Sequence, residues 1–163
     1  FDMLWHAPWA GRRRIEGARV LDAFAGSGAL GLEALSRGAA SAVFLERDRA
    51  ALAAIRANVA ACREEARAQV IAGDALAPPR AGAPCSVAFL DPPYGQGLLA
   101  PALSALAKAG WFAPGAIVVA ETSADTPEDP PPGFAPLADR RHGAGVVRVF
   151  SVQPPSADSP SRP

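Results

Sequence analysis

The tetrapeptide Asp91-Pro92-Pro93-Tyr94 puts an acid, two rigid rings and an aromatic at the exit of the apolar run Val87-Ala88-Phe89-Leu90. Prolines end a strand and fix the backbone beyond it, and Pro92 holds Asp91 extended. One corner therefore presents the Asp91 carboxylate, the Pro92 carbonyl and the Tyr94 ring. That set suits an exocyclic amine on a planar base. Such an amine is a poor nucleophile, because its lone pair is delocalised into the ring. Two acceptors, Asp91 and Pro92, can take its two N–H bonds and draw the nitrogen toward tetrahedral geometry. The carboxylate also stabilises the positive charge that develops as the nitrogen is alkylated. Tyr94, with Pro93 beside it, offers a stacking face for a base taken out of its helix. Alone, the tetrapeptide also fits an ordinary strand exit with Asp91 as a cap.

A second group of residues supplies a partner. Gly26-Ser27-Gly28-Ala29-Leu30-Gly31 matches G-x-G-x-x-G between a strand and a helix, and Glu46 closes the next strand eighteen residues past Gly28. This context fits a dinucleotide fingerprint, and Glu46 can accept ribose hydroxyls in either case. Asp22, four residues before Gly26, tips the balance. A pyrophosphate at the helix N-terminus would be opposed by that carboxylate, whereas the sulfonium and ammonium of S-adenosylmethionine would be attracted. Asp74, at the end of the third strand, stands where an adenine amine can be bonded, or caps a turn. Phe24 shields the reacting groups or belongs to the core. The cofactor-binding candidates are thus Asp22, Phe24, Gly26, Gly28, Glu46 and Asp74. Cys62 and Cys85 form no metal motif and read as buried small apolar residues, and the chemistry needs no metal.

The elements that position these groups alternate. Strands are expected at 19–25, 41–46, 69–73, 85–90 and 116–121, and helices at 30–37, 48–62 and 98–109. Residues 1–6 read as the end of a helix. Asp125 to Pro136 holds five prolines and reads as a loop. Leu137–His142 and Val146–Val152 form a hairpin about Gly143-Ala144-Gly145, and 153–163 is a disordered tail. The alternation predicts an α/β fold: a mostly parallel seven-stranded sheet, a C-terminal antiparallel hairpin, and helices on both faces. Residues 1–152 read as one domain.

The 163 residues are 50% apolar and 20% charged with a net charge of zero, as for a soluble globular chain. No run is long enough to span a membrane, and a cytoplasmic monomer is expected. A nucleic-acid partner would have to use a local patch, for which Arg12–Arg14, Arg140, Arg141 and Arg148 are candidates. His142 reads as a turn residue. The opening Phe1, without an initiator methionine, reads as a fragment.

Asp22-Ala23-Phe24-Ala25-Gly26-Ser27-Gly28, Glu46 and Asp91-Pro92-Pro93-Tyr94 resemble the class I S-adenosylmethionine-dependent methyltransferases of exocyclic amines. More closely, DAFAGSGALGLEALSRGA followed by FLDPPYG is similar to the RsmD-like family, the 16S ribosomal RNA guanine-N2 methyltransferases. The resemblance runs from Phe1 to about Val152. It implies a Rossmann-like methyltransferase fold, S-adenosylmethionine as cofactor, and ribosomal RNA or the small ribosomal subunit as partner. The family carries an N-terminal hairpin and an Arg-Pro-Thr segment before this helix, which would add RNA contacts. Competing readings are a DNA adenine-N6 or cytosine-N4 methylase or another RNA amine methylase, a nicotinamide-dependent oxidoreductase, and a non-catalytic RNA-binding module.

Overall fold

The computed structural model describes residues 14–126 and 128–154. The helix end expected at 1–6, Arg12, Arg13 and the tail beyond 154 lie outside these residues. The elements run β1 (Arg19–Ala23), α1 (Ala29–Ser36), β2 (Ser41–Glu46), α2 (Arg49–Ala61), β3 (Ala68–Ala72), β4 (Cys85–Leu90), α3 (Leu99–Lys108), β5 (Phe112–Ser123), β6 (Phe134–His142) and β7 (Gly145–Val152). They build a seven-stranded sheet in the order β3-β2-β1-β4-β5-β7-β6. The first five strands in that order pair in parallel, and β7 runs antiparallel to both β5 and β6.

Both faces of the sheet are covered, so its strands are apolar at successive positions rather than alternating with polar ones. Val20, Ala42, Phe44, Val87, Phe89 and Ile117 pack with Ala34 and Leu35 of α1 and Ile55 and Val59 of α2. Leu21, Val43, Leu45, Ala88, Leu90 and Val118 pack on the other side with Leu99, Leu103 and Leu106 of α3 and with Trp111. Asp48 caps α2 by accepting from the Ala51 amide at 2.8 Å. That helix then buries the expected stripe of Leu52, Ile55 and Val59. Among the described residues no helix is long and apolar enough to cross a membrane.

Three sequence expectations are corrected. Strand β5 starts at Phe112, not Ala116, with Phe112 paired to Cys85. The ladder passes Pro114 and Gly115 through a register shift, with Gly115 at φ 73°. Strand β6 starts at Phe134 and contains Pro136. It lies at the edge of the sheet, where a missing N–H is tolerated, and its register shifts between Pro136 and Ala138. Cys62 is exposed just past α2, and only Cys85 is buried.

Helix α1 sits close to β2 because Gly31 has no side chain. A Cβ there would lie 2.4 Å from a Phe44 ring carbon, itself buried in the core. Gly31→Ala should therefore lower stability by about 1–3 kcal/mol through overpacking, read as a lower urea midpoint with an unchanged slope.

Candidate active site

The sheet order reverses between β1 and β4, whose neighbours run outward in opposite directions. Crevices at such points, outside the carboxyl ends of the strands, are where open α/β sheets bind ligands. Acids collect there. In register Asp22 lies between Phe44 and Phe89, Glu46 ends β2, and Asp91 follows β4.

The glycine loop is held by its own amides. Gly26 donates to Glu46 Oε2 at 2.8 Å, Gly31 to Asp22 Oδ2 at 2.8 Å, and Gly28 to the Ala25 carbonyl at 2.7 Å. The second Glu46 oxygen accepts from the Arg47 and Asp48 amides at 2.8 and 2.9 Å. Asn58 secures the Ser27 carbonyl at 2.9 Å. All three glycine amides of the motif thus face protein acceptors, and a pyrophosphate would find none of them free. Phe24, at the bend into the loop, takes φ 60°, a strained conformation for a bulky residue that clusters at ligand sites. Gly28, at φ 80°, supplies the left-handed turn into α1.

A cavity of about 160 Å³ opens beside this loop. Phe24, Glu46, Asp74, Asp91, Pro93 and Leu98 are among its walls. Asp22 is not; it is 1% exposed, beneath the loop. Sequence reasoning aimed its carboxylate at a ligand, and the structure aims it at the Gly31 amide, so any pull on a cation acts through the field. Asp74 does cap a turn, accepting from the Leu76 amide at 2.9 Å and pairing with Arg47 at 3.0 Å. It nevertheless borders the cavity.

At the other end of the crevice Pro92 is buried while Asp91, Pro93 and Tyr94 face solvent. No described residue donates a hydrogen bond to the Asp91 carboxylate or the Pro92 carbonyl, so both acceptors are free. Burial, and then the charge of Glu121, push the Asp91 carboxyl above its usual range. The Tyr94 ring is 54% exposed, and its hydroxyl donates to Glu121 Oε1. Glu121 is absent from the sequence candidates. It ends the apolar run of β5 with no motif around it, and only the pairing of Ala120 with Leu90 puts it beside Asp91.

The loop after β5 also reaches the site. Glu128 accepts from the Leu99 amide at 2.8 Å and so caps the first turn of α3, directly after the tetrapeptide. Its carbonyl accepts from Arg148. Arg148 also meets Asp139 at 3.3 Å and stands 5.4 Å from the Phe150 ring centroid. It is therefore an internal brace, and among the described residues the arginine patch expected from sequence keeps the exposed Arg14, Arg140 and Arg141.

Burial raises the Asp22 carboxyl from 3.8 to about 7; the Gly31 amide opposes this, and the charges of Asp91 and Glu46 add to it. With the folded value above the unfolded one, the folded state binds the extra proton, and stability falls as pH rises through about 4 to 7. Asp22→Asn keeps an acceptor for Gly31 without the charge. Its melting temperature relative to wild type should climb by several degrees across that window and stay flat outside it.

Comparison with known proteins places this geometry. The family described as conserved hypothetical protein 95 matches residues 1–151. The ribosomal RNA small subunit methyltransferase D of Escherichia coli is 40% identical over 109 residues, 66% of this chain and 54% of that protein. Its namesake in Haemophilus influenzae is 36% identical over 141 residues, 83% of this chain and 72% of that protein. The chain thus spans about half the length of the Escherichia coli relative. A Haemophilus influenzae crystal structure, provisionally named a methylase, superposes with a TM-score of 0.78 at 32% identity, covering 88% of this chain and 91% of its own. The sheet is therefore the Rossmann-like methyltransferase sheet, and the chain belongs to the conserved hypothetical protein 95 family, the RsmD family that its glycine loop and its strand-end tetrapeptide resemble.

Proposed function

We propose that this chain transfers a methyl group from S-adenosylmethionine to the exocyclic N2 amine of a guanine in 16S ribosomal RNA, in the cytoplasm. The observation that carries the reading is the pair of free acceptors, Asp91 and the Pro92 carbonyl, beside an acid-walled cavity at the switch point. The donor supplies an electrophilic methyl on a sulfonium. Glu46 and Asp74 would face its adenosine, and Phe24 would cover it. The inward-turned glycine amides favour this cationic donor over a nicotinamide dinucleotide.

Asp91 and Pro92 accept the two N–H bonds of the amine and turn its lone pair toward the methyl carbon. The new C–N bond forms as the C–S bond breaks, with its electron pair left on sulfur. Asp91 stabilises the transient positive charge on nitrogen, which then gives up its proton to water. Holding both reactants in line removes much of the entropic barrier. Tyr94 and Pro93 offer the surface on which the extruded base rests. Small-subunit ribosomal RNA as substrate is supported by the names of the two relatives, and guanine N2 by the family resemblance.

Radiolabelled methyl transfer to small ribosomal particles, bare ribosomal RNA and DNA, with identification of the labelled nucleoside, tests the reading. N2-methylguanosine in ribosomal RNA is expected, and label confined to DNA or to adenine would refute it. Asp91→Ala should lose roughly 10²–10³-fold in turnover while binding S-adenosylhomocysteine within about twofold of wild type by calorimetry.

A further inference from the structure

Glu121 takes its place from register. Ala120 pairs with Leu90, so the next residue on β5 stands beside Asp91, while on its other side Glu121 pairs with Val147 of β7. Its carboxylate accepts the Tyr94 hydroxyl. The third wall is Gly145, where a Cβ would lie 2.9 Å from Glu121 Oε1 and 3.3 Å from the Tyr94 hydroxyl oxygen. Three separate segments therefore close on one hydrogen bond, and bare backbone is needed for the fit.

That bond matters because of where Tyr94 sits. It lies on the 91–98 loop, in which Gly95 and Gly97 both take positive φ. The half-exposed ring would otherwise turn on a loop with little to hold it. A stacking surface with several rotamers must lose that freedom when the base arrives, and the base then lies at a variable distance from Asp91.

We propose that Glu121 is the positioning residue of this site: by holding the Tyr94 phenol it fixes the plane on which the target base lies before Asp91. The proposal rests on the methyl-transfer reading above. Glu121 acts on Asp91 as well, through its charge. Among the described residues Glu121 from β5 raises the Asp91 carboxyl by its charge, and the charge of Asp91 in turn raises Asp22 on β1 and Tyr94 on its own loop. Loss of the Glu121 charge removes a cause of the raised Asp91 carboxyl, so Asp91 ionises at lower pH.

Tyr94 is the only tyrosine in the chain, so ζ-¹³C-tyrosine gives one resonance and needs no substrate. The bond to Glu121, with burial and the nearby charges, pushes the phenol up to about 12. The wild-type resonance should stay flat to about pH 11, and in Glu121→Ala, which removes the acceptor, it should move near the ordinary phenol value of about 10. Wild type and variant titrating together near that value would overturn the proposal. The kinetic arm uses whole protein and ribosomal RNA. Glu121→Ala and Tyr94→Phe should each raise KM for RNA about tenfold with unchanged S-adenosylmethionine affinity. Glu121→Gln, which keeps an acceptor for the phenol, should recover most of that loss and move the acid limb of kcat to lower pH. Unchanged KM in both Glu121→Ala and Tyr94→Phe also overturns it. A wild-type protein that methylates no RNA defeats the methyl-transfer reading instead, and the resonance still reports whether Glu121 holds Tyr94.

Discussion

The glycine loop is clamped between two carboxylates, Asp22 from below and Glu46 from the side, each taking an amide of the loop at 2.8 Å. A buried carboxylate is costly unless donors meet it, and here the donors are backbone groups that a tight turn would otherwise leave unpaired. The clamp works only because the backbone comes close: Gly31 lies against Phe44, and Gly28 turns left-handed. Strand β1, helix α1 and strand β2 are thereby fixed to one another, and the crevice beside them inherits its shape.

The acids of the crevice share one side of the sheet. Asp22 follows the parity of Val20 in β1, Glu46 that of Phe44 in β2, and Asp91 that of Phe89 in β4; all three reference positions lie toward α1 and α2. Period-two geometry thus gathers negative charge on one rim without any of these residues being near in sequence. Burial is the first cause of the raised Asp22 and Asp91 carboxyls, and crowded like charges, which disfavour one another's ionisation, add to it. A ligand carrying positive charge relieves that crowding, whereas an anionic one adds to it.

Much of this was legible in the chain. The strand–loop–helix carrying Gly26 and Gly28, the acid at Glu46 and the tetrapeptide at Asp91 are local signals, and the sheet and hairpin follow from alternation. What sequence could not supply depends on pairing across the sheet. Glu121 joins the site by register with β4, and Glu128 by a loop that folds back on α3. Pro136 fell in a stretch read as a loop because proline density says nothing of sheet edges, yet the edge strand β6 admits it. Asp22 was rightly placed by the strand and loop around it, but the direction of its carboxylate was set by α1. Cys62 continues the apolar stripe of α2 but is its C-cap, one step past the last helical residue, and there it lies exposed.

The cap that Glu128 places on α3 has a consequence for how the domain assembles. The amide of Leu99 meets a side chain 29 positions further along, and that residue is anchored in turn by Arg148 on β7. The turn after the tetrapeptide is therefore completed only when the last hairpin has docked against β5. Contacts of such sequence separation form late, because the chain between them must first be closed. Synthesis from the N-terminus would leave the clamp of the glycine loop formed first and the corner at Tyr94, which Glu121 and Gly145 complete, last.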